Sequence, residues 1–165
     1  MIMMPLLTGL LHTNNDALRL GRCLETLYPC DQVLIVDHGS QDDTVRIARE
    51  HGAHVVLAIA DASSNAYARH VAPGWILALD PRESLTEGLA ASLFELREEW
   101  KVAGNIPAQA YSVFLREETA DGWIDVPTPE TRLVPHTWNN WNRNLPLREP
   151  SAMALAGELL RFAFP

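Results

Sequence analysis

The first hundred residues alternate short, unbroken apolar runs with stretches of helical period, and each run stops at polar residues. Val33-Leu34-Ile35-Val36 is the sharpest of these runs. It is continuous and β-branched, so it asks for cover on both faces, which is the situation of a parallel strand between layers. Leu6–Leu11 and Trp75–Leu79 read the same way, and His54–Ile59 is a further strand candidate. Between them, Ala17, Leu20, Leu24 and Leu27 share one helical face. Asn15 or Asp16 stands where a cap belongs, and Pro29 ends the segment after Tyr28. Ser40 with Asp43 has capping-box spacing ahead of a helix that runs to Gly52. Asn65–Ala72 is a short helical stretch, and Ser84-Leu85-Thr86-Glu87 is a second capping box, opening a helix to about Trp100. Strand–helix alternation of this kind predicts an α/β fold: a three-layer α/β/α sandwich on a doubly wound, mostly parallel sheet.

The last third has a different texture. Ala110–Arg116 reads as a strand, Asp121-Gly122 as a turn and Arg132–Val134 as another short strand. Pro127, Pro129, Pro135 and Pro146 break up the remainder, and Ser151–Phe162 reads as a closing helix. This predicts a small C-terminal lobe, with the 165 residues forming a single domain. Charge narrows the function classes: 13 Lys+Arg against 21 Asp+Glu leave a net −8, which argues against a broad nucleic-acid surface. No apolar run approaches the ~18–20 residues of a membrane helix. Met1–Leu11 has no basic residue, unlike a secretory signal, and Cys23 and Cys30 form no disulfide framework. The expectation is a cytoplasmic chain.

In open α/β sheets, ligands sit outside the carboxyl ends of the strands. Three strand ends here are polar: His12-Thr13-Asn14-Asn15, Asp37-His38-Gly39-Ser40 and Asp80-Pro81-Arg82-Glu83. Either aspartate alone could simply cap its loop; two of them at one edge point to a site. The chain has no G-x-G-x-x-G, no G-x-x-x-x-G-K-[ST] and no G-x-S-x-G, which disfavours dinucleotide enzymes, P-loop nucleotidases and α/β-hydrolases.

Read in order, these pieces resemble the nucleotide-binding half of inverting family 2 glycosyltransferases, which have the GT-A fold. The resemblance runs through Thr13-Asn14-Asn15 and through Val36-Asp37-His38-Gly39-Ser40-Gln41-Asp42-Asp43-Thr44, which is similar to V-D-x-G-S-x-D-x-T. It continues through Asn65-Ala66-Tyr67-Ala68 and through Gly74–Thr86, which is similar to G-x-W-I-L-x-L-D-A-D-E-x-L-T. The nearest subgroup is that of short bacterial enzymes of polysaccharide or lipopolysaccharide-core assembly, and Glu130-Thr131-Arg132-Leu133 resembles its acceptor half more loosely. The resemblance implies a nucleotide-binding half over residues 1–100 and a reduced acceptor lobe over residues 101–165. It implies a nucleotide-sugar donor held by Thr13, Asn14, Asp37, His38, Asn65, Asp80 and Arg82. It implies a carbohydrate or lipid-linked acceptor and a cytoplasmic protein, in some cases peripheral to the inner membrane. Asp80, with Asp125 or Glu130 as base, would carry the catalysis, and a Mg²⁺ or Mn²⁺ ion would rest on Asp80 and Glu83.

The chain departs from the pattern where the metal belongs. The second Asp of D-x-D is Arg82, which stays protonated and has no acceptor for a cation. Divalent binding is therefore expected to be weak, with Arg82 standing in for the ion at the diphosphate. The other strand-end position often acidic in the family is His38, and no Asp or Glu lies between Arg132 and Glu149. Three readings stay open: a metal-poor transferase, a non-catalytic GT-A-like module that binds a nucleotide sugar or a partner, and an unrelated doubly wound protein. Trp123, Trp138 and Trp141 have two uses open to them, sugar stacking or lobe packing. Leu159, Leu160, Phe162 and Phe164 either return to the sheet or meet a second copy of the chain.

Overall fold

The computed structural model describes residues 5–103 and 108–165. The first half builds four parallel strands: β1 (Leu6–Thr13), β2 (Gln32–Asp37), β3 (His54–Leu57) and β4 (Gly74–Leu79). Helix α1 (Ala17–Glu25) joins β1 to β2, and α2 (Thr44–Glu50) joins β2 to β3. A 3₁₀ helix over Ser64–His70 leads into β4. The strand β5 (Glu83–Leu85) and helix α3 (Glu87–Ala103) follow, then β6 (Tyr111–Thr119), β7 (Gly122–Asp125), β8 (Glu130–Pro135), β9 (Trp141–Asn142), β10 (Leu145–Pro146) and β11 (Met153–Arg161). The main sheet runs β3-β2-β1-β4-β8-β6-β11-β5, with β7 paired to β6. The β9–β10 hairpin stands apart as a two-stranded sheet.

Both faces of the parallel strands are covered, as their unbroken apolar character requires. On one face Leu7, Leu11, Ile35 and Leu77 pack with Leu20, Leu24 and Leu27 of the α1 segment, Ala48 of α2, and Leu89, Leu93 and Trp100 of α3. On the other, Leu10, Leu34, Val36 and Ile76 meet Tyr67 and Val71, with Trp138 and Trp141 packed alongside. The third layer is therefore a 3₁₀ helix and a hairpin segment rather than α-helices. Gly74 opens β4 at φ +153°, where an added Cβ would stand 2.1 Å from the Leu6 carbonyl oxygen. Only glycine allows β4 to enter beside β1 at that point.

Several sequence expectations are corrected. The segment read as a closing helix, Ser151–Phe162, is the strand β11, parallel to β6 and antiparallel to β5. Its Ala, Met, Leu and Glu residues favour a helix locally, but pairing on both sides overrides that preference. Gly157 adopts φ +91° and lies against the start of α3, where a Cβ would be 2.2 Å from the Leu89 nitrogen. Ser84 caps nothing, because it lies inside β5. Thr86 takes that role: its hydroxyl accepts the Leu89 N–H (3.2 Å) and its carbonyl accepts the Ala90 N–H (3.0 Å). Ser40 does not cap α2 either, since its hydroxyl is turned to Asp37 (2.6 Å). Helix α1 ends at Glu25, short of Tyr28. Apart from the β9–β10 hairpin, the C-terminal strands extend the first sheet: β8 pairs with β4 and β6 with β8.

Trp138 and Trp141 pack against the core, while Trp123 stays exposed. The indole N–H of Trp138 donates to the Asn140 carbonyl (3.0 Å), that of Trp141 donates to the Trp138 carbonyl (2.8 Å), and Trp123 meets Phe162 edge-on. Leu159 is buried in the sheet, while Phe164 stays exposed.

Candidate functional site

The chain runs outward from β1 through β2 to β3, then returns to place β4 on the other side of β1. That reversal opens a crevice at the carboxyl ends of β1 and β4, the usual ligand position in such sheets. A cleft of about 1040 Å³ lies there, lined by polar residues from all three strand ends. Thr13, Asn14, Asp37, His38, Asp80 and Arg82, each proposed from a strand ending, line it together.

The end of β2 is held by neutral donors. Thr13 pairs with Asp37 in the ladder, and its hydroxyl donates to Asp37 Oδ1 (2.7 Å). The Ser40 N–H donates to Oδ2 (2.9 Å) and its hydroxyl to Oδ1 (2.6 Å). Burial pushes the Asp37 carboxyl up, but the hydrogen bonds from Ser40 and Thr13 outweigh it and hold it below the usual carboxylate range. The loops after β1 and β2 are stitched together as well. The Asn15 N–H donates to Ser40 Oγ, the Gln41 N–H to Asn15 Oδ1, and the Asp16 N–H to Thr44 Oγ1.

The end of β4 is held by charge. Arg82 donates from its backbone N–H (2.9 Å) and Nε (2.9 Å) to Asp80 Oδ1, and from a terminal guanidinium nitrogen to Oδ2 (3.3 Å). Burial raises the Asp80 carboxyl, and Arg82 overrides that and lowers it. Beneath the loop, Glu83 Oε1 accepts the Asp80 N–H (2.7 Å).

A third feature is a histidine pair. His12 Nδ1 and His38 Nε2 share a hydrogen bond of 2.8 Å, and His12 Nε2 and Ser64 Oγ one of 2.9 Å. Burial, with the nearby His38, pushes the His12 pKa down to about 4, so this ring is neutral at physiological pH.

Other expected residues lie elsewhere. Glu83 is fully buried and does not line the cleft; Arg132 grips both of its oxygens (2.7 and 2.8 Å) and Arg161 meets Oε2 at 3.0 Å. A carboxylate committed in this way cannot turn to a cation in the cleft. Glu130 completes the same cluster, with Oε1 3.0 Å from Arg132 and Oε2 3.3 Å from Arg161. Asp125, on the exposed strand β7, pairs with Arg116 (2.9 Å). Asn65 is exposed and, like Glu130 and Asp125, is absent from the cleft lining.

The divalent cation expected from the sequence resemblance does not suit these donors. Both oxygens of Asp80 carry the Arg82 fork, and Glu83 is turned inward. Among the described residues, no three His, Cys, Asp or Glu side chains cluster.

Sequence reasoning missed His12, Asp16, Arg19, the segment 57–63, and Arg143 with Asn144, all of which line the cleft. His12 stands one residue before a motif and was open to detection. Arg143 is remote in sequence, and only the hairpin brings it in.

No family model matches the sequence, and no curated protein matches it. Solved structures do. TarS of S. aureus overlaps 79% of this chain and 28% of its own, at 14% identity and a TM-score of 0.53. A mycobacterial protein overlaps 70% of this chain and 42% of its own, at 18% identity and a TM-score of 0.50. The chain thus spans less than half the length of either. At such identities the likeness speaks for architecture alone, and that architecture is the GT-A fold, a mixed α/β arrangement on a large curled sheet.

Proposed function

We propose that the cleft binds a nucleoside-diphosphate sugar without a divalent cation and that the chain acts as a glycosyltransferase-like protein. One observation carries this reading: six polar residues from three separate strand ends converge on one cleft of about 1040 Å³ at the point where the strand order reverses. That volume suits a ligand the size of a nucleotide sugar. Asp37, Thr13 and Asn14 provide a rigid polar wall for the nucleoside. Arg19, Arg82 and Arg143 are the arginines of the lining. In transfer with inversion, an acceptor hydroxyl attacks the anomeric carbon, the bond from that carbon to the diphosphate oxygen breaks, and the nucleoside diphosphate leaves with the electron pair. The hydroxyl proton passes to a base. Carbohydrate and lipid-linked hydroxyls are the acceptor classes in this proposal. No helix among the described residues is long and apolar enough to cross a membrane, and the proposed setting is the cytoplasm or the face of the inner membrane.

A second reading, binding without transfer, draws on a specific observation. Glu130 and Asp125, the candidate bases, are each engaged by arginines away from the cleft. The same experiment separates the two. Calorimetry against UDP, GDP, CDP, TDP and their sugars, with and without Mn²⁺, is expected to give binding that survives EDTA. Release of nucleoside diphosphate from a sugar donor in the presence of acceptor would establish transfer. Binding with no release under any acceptor would establish the module, and no nucleotide binding at all would defeat both.

A further inference from the structure

Four aspartates line the cleft, Asp16, Asp37, Asp61 and Asp80, against three arginines, Arg19, Arg82 and Arg143. Such a lining, in which arginines do not outnumber aspartates, favours an anion only where a cation is left unmatched. Arg82 is not that cation, because its fork is closed on Asp80. Arg19 stands 3.9 Å from Asp16. Arg143 forms no ion pair and no side-chain hydrogen bond among the described residues.

The backbone around Arg143 is built with unusual care for an exposed residue. Asn142 pairs with Leu145 across the β9–β10 hairpin, so Arg143 and Asn144 are the two turn residues. Arg143 has φ +55°, and Asn144 is not among the residues of positive φ. Positive φ at the first turn residue alone is the type II′ pattern, in which that position favours glycine. An arginine there is held in a conformation its Cβ disfavours, and such strain persists where surrounding structure enforces it. The enforcement is visible. The Ser64 N–H donates to the Arg143 carbonyl (3.1 Å), and the buried Ser64 hydroxyl stands 3.3 Å from that oxygen and from the Asn144 carbonyl oxygen. Ser64 Oγ in turn meets His12, which is bonded to His38 just beyond the end of β2. The turn is fastened through its backbone to Ser64, and Arg143, exposed and a lining residue of the cleft, has no side-chain partner among the described residues.

We propose that Arg143 is the anion-binding residue of the cleft and takes the diphosphate of the ligand, while the Ser64–His12–His38 chain positions the turn that carries it. The proposal rests on the nucleotide-sugar reading of the same cleft. A planar fork with five donors suits adjacent phosphate oxygens better than a point charge does.

The test is calorimetry of the full chain with inorganic pyrophosphate, with the four nucleoside diphosphates and with their nucleosides, on the native protein and on R143Q, R143G and R148Q. Arg148 is exposed and outside the cleft lining, so it serves as the control. R143Q is expected to weaken pyrophosphate and nucleoside diphosphate binding by about tenfold or more, the scale of a lost charge-assisted hydrogen bond, and to leave nucleoside binding and the control unchanged. R143G is expected to lose the same binding while unfolding no earlier than the native protein, since glycine relieves the turn; a purely structural role for the arginine predicts the reverse. Native-like pyrophosphate binding by R143Q overturns the proposal, as does an equal loss of nucleoside binding. Native binding of pyrophosphate but of no nucleoside diphosphate, abolished in R143Q, leaves the anion site standing and defeats the nucleotide reading. Binding of neither defeats both.

Discussion

Asp37 and Asp80 end two parallel strands that flank the same central strand, yet they are held in opposite ways. Asp37 is 2% exposed and receives only neutral donors, two hydroxyls and a backbone N–H, so its charge is oriented and not cancelled. Asp80 is neutralised by a guanidinium two residues away, and its loop is anchored from below by Glu83, Arg132 and Arg161. One strand end therefore presents a fixed negative charge to the cleft and the other presents a closed ion pair. The lesson is that two aspartates at like strand ends owe their electrostatic character to the partners the fold gives them. The buried cluster behind Asp80 maintains the loop, whatever faces the ligand.

The largest way to break this contrast is to remove the support behind Asp80. Glu83→Ala leaves Arg132, which is fully buried, without its bidentate partner. A loss of about 3–5 kcal/mol in urea denaturation is expected, because an unmatched buried charge is costly. A loss as small as that of a surface pair would mean the cluster is not supporting the loop.

Next in size is the pH response on the Asp37 side. His12 has its pKa lowered to about 4 in the fold. Above its ordinary value near 6.5 neither state takes a proton there. As pH falls from about 6.5 towards 4 the unfolded chain binds a proton and the folded chain does not, so stability drops by an amount on the order of 2 kcal/mol. Asp37, with its carboxyl held below the usual range, acts in the same direction but lower: its contribution is present above the ordinary Asp value and fades as pH falls through the folded one. Denaturation of the native protein and of His12→Gln at pH 7 and pH 5 separates the two, since the variant is expected to lose most of the difference between those values.

Comparable or slightly smaller is the binding effect of Asp37→Ala, expected to weaken nucleotide affinity by about 1.5–3 kcal/mol in calorimetry. Unchanged affinity would make Asp37 a loop cap and nothing more. The smallest stability change is expected from Arg82→Ala, within about 1 kcal/mol, because that pair is partly exposed at 46% and 32%. Its value lies in sharpening the contrast. Freed of the fork, Asp80 becomes an uncancelled carboxylate like Asp37, and Arg82→Asp is expected to make nucleotide binding depend on Mn²⁺. A native protein that already needs Mn²⁺ would erase the distinction.

The four parallel strands were legible because short apolar runs between breakers are local signals. The polar strand ends were legible for the same reason, and Thr13, Asn14, Asp37, His38, Asp80 and Arg82 do share a cleft. Glu83 was not legible: in sequence it follows Arg82 into the same turn, and only β8 and β11, bringing Arg132 and Arg161, bury it. Glu130 sits in a strand that pairs with β6, and its charge is absorbed by the same arginines.

Sequence by itself determined the order of the first strands and helices and the chemistry waiting at their ends, because period, β-branching and breakers act over a few residues. Tertiary structure alone decided that Ser151–Phe162 is a strand, since its helix-favouring side chains yield to β6, β5 and the close approach of Gly157 to α3. It alone decided which charges remain available. Arg143 and Asp80 are far apart in the chain and belong to one cleft only because the hairpin folds over the sheet edge, and neither residue's local sequence encodes a contact made across that distance.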